Sequence, residues 1–158
     1  MRRAQGKSVR GDEQVREAGL IEHNACATCG FQLWNPLEAL SVSTVGLYDD
    51  GRFPGRLIVS LNPHFNHFDE LPADTLSSFI KDIQAMSAVL RSLDGVERVN
   101  VAILGNKDVH VHAHVIPRRV TEPNYGLSPW DNAPKWFPLE PSVREDVLRT
   151  LTQAIQGE

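Results

Sequence analysis

The sequence predicts an α+β domain, a small antiparallel sheet with helices packed against it. Three observations carry this expectation. Short runs of β-branched and apolar residues are separated by Gly, Pro, Asn and Asp punctuation. Two longer segments repeat apolar residues every three or four positions. The runs at 98–104 and 109–117 are split only by the compact polar turn Gly105-Asn106-Lys107-Asp108, as antiparallel neighbours are.

The opening MRRAQGKSVRGDEQ is polar and lacks the apolar centre of a signal peptide, so residues 1–20 read as a flexible tail and 21–158 as one domain. Residues 12–22, DEQVREAGLIE, are compatible with a short helix. Ala39–Tyr48, ALSVSTVGLY, reads as one strand, DDGRFPG as a turn, and Arg56–Leu61, RLIVSL, as a second strand. The loop NPHFNHFDELP leads into a helix whose apolar stripe is Leu76, Phe79, Ile80, Ile83, Met86, Leu90 and Leu93, ended by Asp94-Gly95. RVNVAIL (98–104) and Val109–Pro117 form the third and fourth strands. Residues 121–141 are proline-rich, carry Trp130 and Trp136, and are long for a plain connection, which favours a functional or interface role. SVREDVLRTLTQAI closes the chain as a helix, with Ser142 and Glu145 spaced for a capping box and Val147, Leu148, Leu151 and Ile155 as its stripe.

Bulk composition excludes several classes. The chain has 158 residues, enough for one domain with a real core. The 16 basic and 20 acidic residues give a net charge of -4, which argues against a nucleic-acid platform. No apolar run reaches the roughly 18 residues of a membrane span. Two cysteines rule out a disulfide scaffold, so a cytoplasmic protein is expected.

Half of the six histidines fall in HVHAHVIPRR, at His110, His112 and His114. A strand sends alternate residues to one face, so all three imidazoles share it while Val111, Ala113 and Val115 face the core. Neighbouring imidazoles start about 7 Å apart and the outer pair about 13 Å. All three could hardly reach one metal on a flat strand, and the spacing points to divided roles. Three polar rings also make a poor core face, because each nitrogen needs a partner. The pair Cys26-x-x-Cys29 is a zinc half-site, a redox pair or a chance spacing. A redox pair would sit in a βαβ pattern, which is absent. A zinc site needs two more ligands, for which His23, His64, His67 and His110 are available.

HVHAHVI resembles the His-x-His-x-His-x-x signature of the histidine triad (HIT) nucleotide hydrolases and transferases. RLIVSLNPHFNHFDEL is similar to that family's strand and loop, with His64 seven residues before Leu71. VNVAILGN, the triad and IPR resemble the bacterial branch labelled diadenosine-tetraphosphate-hydrolase-like. The likeness covers roughly residues 26–120. It implies a HIT-like antiparallel sheet packed with helices. It also implies cleavage at the α-phosphate of a dinucleoside polyphosphate or nucleoside phosphoramidate, with His112 as the nucleophile that forms a nucleotidyl-histidine. His114 would hydrogen-bond the phosphate or protonate the leaving group. Asn106 and Lys107 would meet phosphate oxygens, and Asp49 or Asp50 the ribose hydroxyls. A structural Zn²⁺ would be held by Cys26, Cys29, His64 and His110, with His67 the rival of His64. A homodimer is implied, in which the helix around Leu76–Leu93 could face a second subunit. Trp130 and Trp136 could line a nucleoside pocket or a dimer contact. Two departures stand out: Asn62-Pro63 replaces the usual Pro-Lys or Pro-Arg, and the compact GNKDV replaces a longer Gly-Gln-Ser/Thr-Val stretch. Two other readings compete: a zinc hydrolase using the His110/His112 pair on an open metal, and a non-catalytic nucleotide-binding module.

Overall fold

The computed structural model describes residues 25–157. The expected tail, the helix over 12–22 and His23 lie outside them. Five strands form one antiparallel sheet: β1 (Pro36–Ala39), β2 (Ser43–Leu47), β3 (Leu57–Leu61), β4 (Arg98–Ile103) and β5 (His112–Arg118). Their order across the sheet is β1-β2-β3-β5-β4, with every neighbouring pair antiparallel. Helices α1 (Ala73–Ser92) and α2 (Pro141–Gln156) complete the fold, so the α+β expectation holds.

The core lies between α1 and one sheet face. Val45, Leu57, Val59, Leu61, Val111, Ala113 and Val115 meet Phe79, Ile83, Met86 and Leu90 there. The four helix side chains are at most 5% exposed. Burying each contributes about 1.5–3 kcal/mol. Ile80, expected in the same stripe, is exposed because it lies about 100° around the helix from Phe79. The alternation that buries Val111, Ala113 and Val115 turns His112 and His114 to the opposite face.

Three expected boundaries move. ALSVSTVGLY is not one strand: it turns at Leu40–Val42 and continues as β2, paired back on β1. The cause is Asp82 of α1, whose buried carboxylate accepts from Ser41 N (3.2 Å), Ser41 Oγ (2.7 Å), Val42 N (3.1 Å) and Ser43 Oγ (2.7 Å). A distant carboxylate thus satisfies the turn that local sequence does not announce. The connection between β4 and β5 is wider than a tight hairpin, since β5 begins only at His112 and leaves His110 in irregular backbone. Helix α2 starts at Pro141, a residue preorganised for a first helical position, with Glu140 as its N-cap. Ser142 therefore sits inside the first turn, and the Ser142/Glu145 capping box does not form.

Asp82 supplies a stability prediction. Burial pushes its carboxyl up, but the hydrogen bonds from Ser43, Ser41 and Val42 outweigh that and hold it below the ordinary carboxylate value. A depressed folded value stabilises the fold above the unfolded value of about 3.9. That contribution is lost as pH falls through the folded value. Asp82→Ala strands two amides and two hydroxyls, and should cost roughly 3 kcal/mol in urea unfolding at neutral pH. The variant should also lose part of the wild type's acid dependence below about pH 4. An unchanged midpoint would show that the turn finds other partners.

Candidate active site and metal centre

The histidine face of the sheet is open to a cleft of about 300 Å³. Pairing sets its floor: His112 lies opposite Ser60 of β3, and His114 lies between Ile58 of β3 and Ala102 of β4. Its walls come from elsewhere, with Phe31 and Trp34 on one side and Tyr48, Arg56 and Trp130 on the other. Asn106 and Lys107, at the start of the connection after β4, also line it.

Two features bring distant chain over this face. Gly46 of β2 allows the Leu33–Asn35 segment to cross, since a Cβ there would lie 2.9 Å from the Asn35 carbonyl oxygen. On the other side, buried Arg118 of β5 donates to Glu122 (2.6 Å), to Asn100 (2.6 Å) and to the carbonyls of Asn124 (2.9 Å) and Leu127 (3.1 Å). Asn124 donates onward to the carbonyls of Ser128, Pro129 and Asp131. The residues after β5 are thereby ordered, and Trp130 stands edge-on to His114 with ring centroids 6.2 Å apart. Trp136 instead donates to the Asp49 carbonyl and lies outside the cleft lining.

Hydrogen bonding assigns the ring of His112. Its Nδ1 lies 2.6 Å from the His110 carbonyl oxygen, which can only accept. Nδ1 therefore carries the proton, and Nε2 presents a lone pair with no protein partner among the described residues. Burial holds this imidazole below its ordinary value, which favours the neutral, nucleophilic form. Phe31 stacks on His112 at 4.9 Å and on His110 at 5.0 Å between centroids, fixing the ring planes.

His110 points elsewhere. Its Nε2 donates to the Leu61 carbonyl at 2.7 Å, and its Nδ1 lies 3.5 Å from Cys29 Sγ and 3.4 Å from His64 Nδ1. Cys26 Sγ is 3.5 Å from His64 Nδ1. One donor atom from each of Cys26, Cys29, His64 and His110 lies within 4.8 Å of all the others. Zinc bonds of about 2.3 Å to sulfur and 2.0 Å to nitrogen would give tetrahedral edges of roughly 3.5 Å (S–N) and 3.3 Å (N–N). The observed separations match. The tautomers agree as well: with Nε2 of His64 on Asn66 Oδ1 at 3.0 Å, both Nδ1 atoms face inward as lone pairs. Two lone pairs so close repel unless a cation lies between them. The backbone amides of Cys29 and Thr28 pull the Cys26 thiol down to about 6, towards the thiolate a metal needs. The donor set therefore fits Zn²⁺. His67, the sequence's alternative, instead donates its backbone N–H to Glu70 ahead of a short 3₁₀ turn at Phe68–Glu70.

The acidic pair is placed differently from expectation. Neither Asp49 nor Asp50 lines the cleft. Asp50 is fully buried, with its carboxylate on Arg52 (2.8 Å) and Arg56 (2.7 Å). Asp49 accepts from Leu139 N (2.8 Å) and pairs with Arg144, tying α2 to the sheet. Both carboxylates are committed to cations and amides of their own chain, away from the cleft lining. Sequence reasoning passed over Phe31, Arg56 and Arg118. The one available signal was an arginine at the head of the apolar run RLIVSL.

Known proteins share this fold. A HIT-like protein of Methanocaldococcus jannaschii is 39% identical over 71 residues, 42% of this chain and 55% of the relative. The chain thus spans about half the length of that curated relative. A histidine triad (HIT) protein from Sinorhizobium meliloti 1021 superposes with a TM-score of 0.66 at 27% identity, covering 78% of this chain and 87% of that one. A Zn-bound histidine triad family protein from Mycobacterium smegmatis shares the fold at 22% identity and a TM-score of 0.59, over 77% and 84% of the two chains. The HIT domain family itself matches residues 43–121, which contain the sheet from β2 to β5, helix α1 and all three triad histidines; the chain belongs to the HIT family.

Proposed function

We propose that the protein is a nucleotidyl hydrolase or transferase that cleaves at the α-phosphate of a dinucleoside polyphosphate or nucleoside phosphoramidate. The observation that carries this reading is the His112 ring, locked by the His110 carbonyl with a bare Nε2 beside an open cleft. Nε2 would attack phosphorus, form an N–P bond and break the bond to the leaving group, which departs as a phosphate anion or, from a phosphoramidate, as an amine that takes its proton from solvent. Water or another acceptor then takes the nucleotidyl group from the imidazole. His114 would supply an N–H to a phosphate oxygen. Asn106 and Lys107 could add a donor and a charge at the same end of the cleft.

Cys26, Cys29, His64 and His110 would hold a structural zinc. Four protein ligands close its shell, so it would tie the N-terminal segment to the sheet rather than bind substrate. The zinc-hydrolase alternative needs His110 and His112 nitrogens to converge on one metal. Instead, His112 uses Nδ1 on a carbonyl, while the Nδ1 of His110 faces the cysteines. A homodimer follows from the family reading, and edge strand β4 leaves Val101 47% exposed for a second copy to cover. No helix among the described residues is long and apolar enough to cross a membrane. A reducing compartment such as the cytoplasm would suit thiolate ligands.

The test is release of the nucleoside monophosphate from diadenosine tetraphosphate and from an adenosine phosphoramidate by zinc-loaded protein. Turnover of either supports the reading, and the faster one identifies the branch. A folded, zinc-loaded protein that binds nucleotide and turns over neither would favour the binding-module alternative.

A further inference from the structure

We infer that Arg56 is a positioning residue that locks His114 into one neutral tautomer, with Nδ1 accepting and Nε2–H aimed into the cleft. Arg56 Nη2 lies 2.9 Å from His114 Nδ1. A guanidinium only donates and stays charged at all accessible pH, so Nδ1 must keep its lone pair. The ring proton is thereby placed on Nε2, which has no other protein partner among the described residues.

The guanidinium is itself held rigidly. Its Nη1 donates to Asp50 at 2.7 Å, and Asp50 is gripped from the other side by Arg52 through Nε and Nη2, both at 2.8 Å. The Tyr48 ring covers it at 4.4 Å, and Trp130 lies at 5.9 Å. Arg56 is only 4% exposed, and its Nε is buried without a partner. A buried cation with an unsatisfied donor is costly to keep for packing alone. The contact with His114 supplies a reason for it.

The surroundings of His114 act in one direction. His112 of β5 sits 5.0 Å away, Arg56 precedes β3, Tyr48 follows β2, and Trp130 covers the ring's edge. Lys107 and Asp108 are the other charges lining the cleft. Burial first, then the charge of Arg56 and the neighbouring His112, push the His114 imidazole down to about 3. His114 therefore stays an uncharged donor at neutral pH. Surrendering Nε2–H would leave an imidazolate. On the functional reading above, on which this role rests, His114 donates a hydrogen bond to the phosphate and does not deliver a proton to the leaving group.

The experiment is ¹⁵N NMR of the histidine rings in the zinc-loaded full chain, from about pH 8 to 5, the range in which ordinary imidazoles titrate. The wild type should show His114 as a single Nε2–H tautomer with no titration in that range. Arg56→Met should mix the tautomers and raise the titration midpoint. Arg56→Lys, which keeps a cationic donor, should restore much of the wild-type pattern. A proton on Nδ1 in the wild type, a wild-type titration inside the range, or an unchanged tautomer in folded Arg56→Met would each overturn the inference. If Arg56→Met does not fold, the wild-type spectrum can still overturn the inference, and the pattern in Arg56→Lys beside a second neutral variant, Arg56→Gln, tests the attribution to Arg56. Failure to turn over any nucleotide would leave the spectrum unaltered and count against the functional reading alone.

Discussion

Replacing His112 by alanine should lower kcat by about a thousandfold or more, with little loss of stability. The size follows from the chemistry assigned to Nε2. Without it there is no N–P bond to form, and water must attack unaided in one difficult displacement. Binding should survive, because Asn106, Lys107 and the aromatic walls remain. His112 is buried but sits at the floor of an open cleft, so truncation enlarges existing space rather than leaving a sealed void in the core. Steady-state kinetics beside thermal unfolding check this. A tenfold loss or less would assign His112 to binding or orientation.

Removing the zinc proposed at Cys26, Cys29, His64 and His110 should have the second largest effect, and mainly on stability. Chelation leaves the two Nδ1 lone pairs of His64 and His110 facing each other at 3.4 Å. It also frees the segment around Cys26–Phe31, whose Phe31 ring braces His110 and His112. A loss of a few kcal/mol in a domain of this size lowers Tm by on the order of 10 °C. Turnover should fall only about tenfold, because the nucleophile persists while its ring loses a brace. Phe31→Ala should reproduce the rate loss with the metal still bound. Calorimetry and kinetics with a chelator, then with Zn²⁺ restored, read both effects. Complete loss of turnover at unchanged Tm would place the metal in the chemistry instead.

What the sequence made legible follows the range of the interactions involved. Alternation within HVHAHVI depends on adjacent residues, so the shared face of His112 and His114 and the core face of Val111, Ala113 and Val115 could be read directly. The stripe of α1 is equally local. Cys26, Cys29, His64 and His110 converge across more than 80 positions, and it was family likeness rather than spacing that joined them. Asp82 was hidden because the turn it satisfies lies 40 residues away. Asp50 looked like a surface turn acid, and only the folded chain shows two arginines closing on it. Arg56 and Phe31 act through contacts with rings more than 50 and 75 positions distant, which no local pattern records.

The covalent step can be tested directly by mixing zinc-loaded protein with a dinucleoside polyphosphate, quenching at neutral to alkaline pH, and measuring intact mass with peptide mapping. One nucleoside monophosphoryl group should appear on the peptide carrying His112, and none in His112→Ala. Turnover with no adduct on any timescale, or an adduct on another residue, would contradict the nucleotidyl-histidine account.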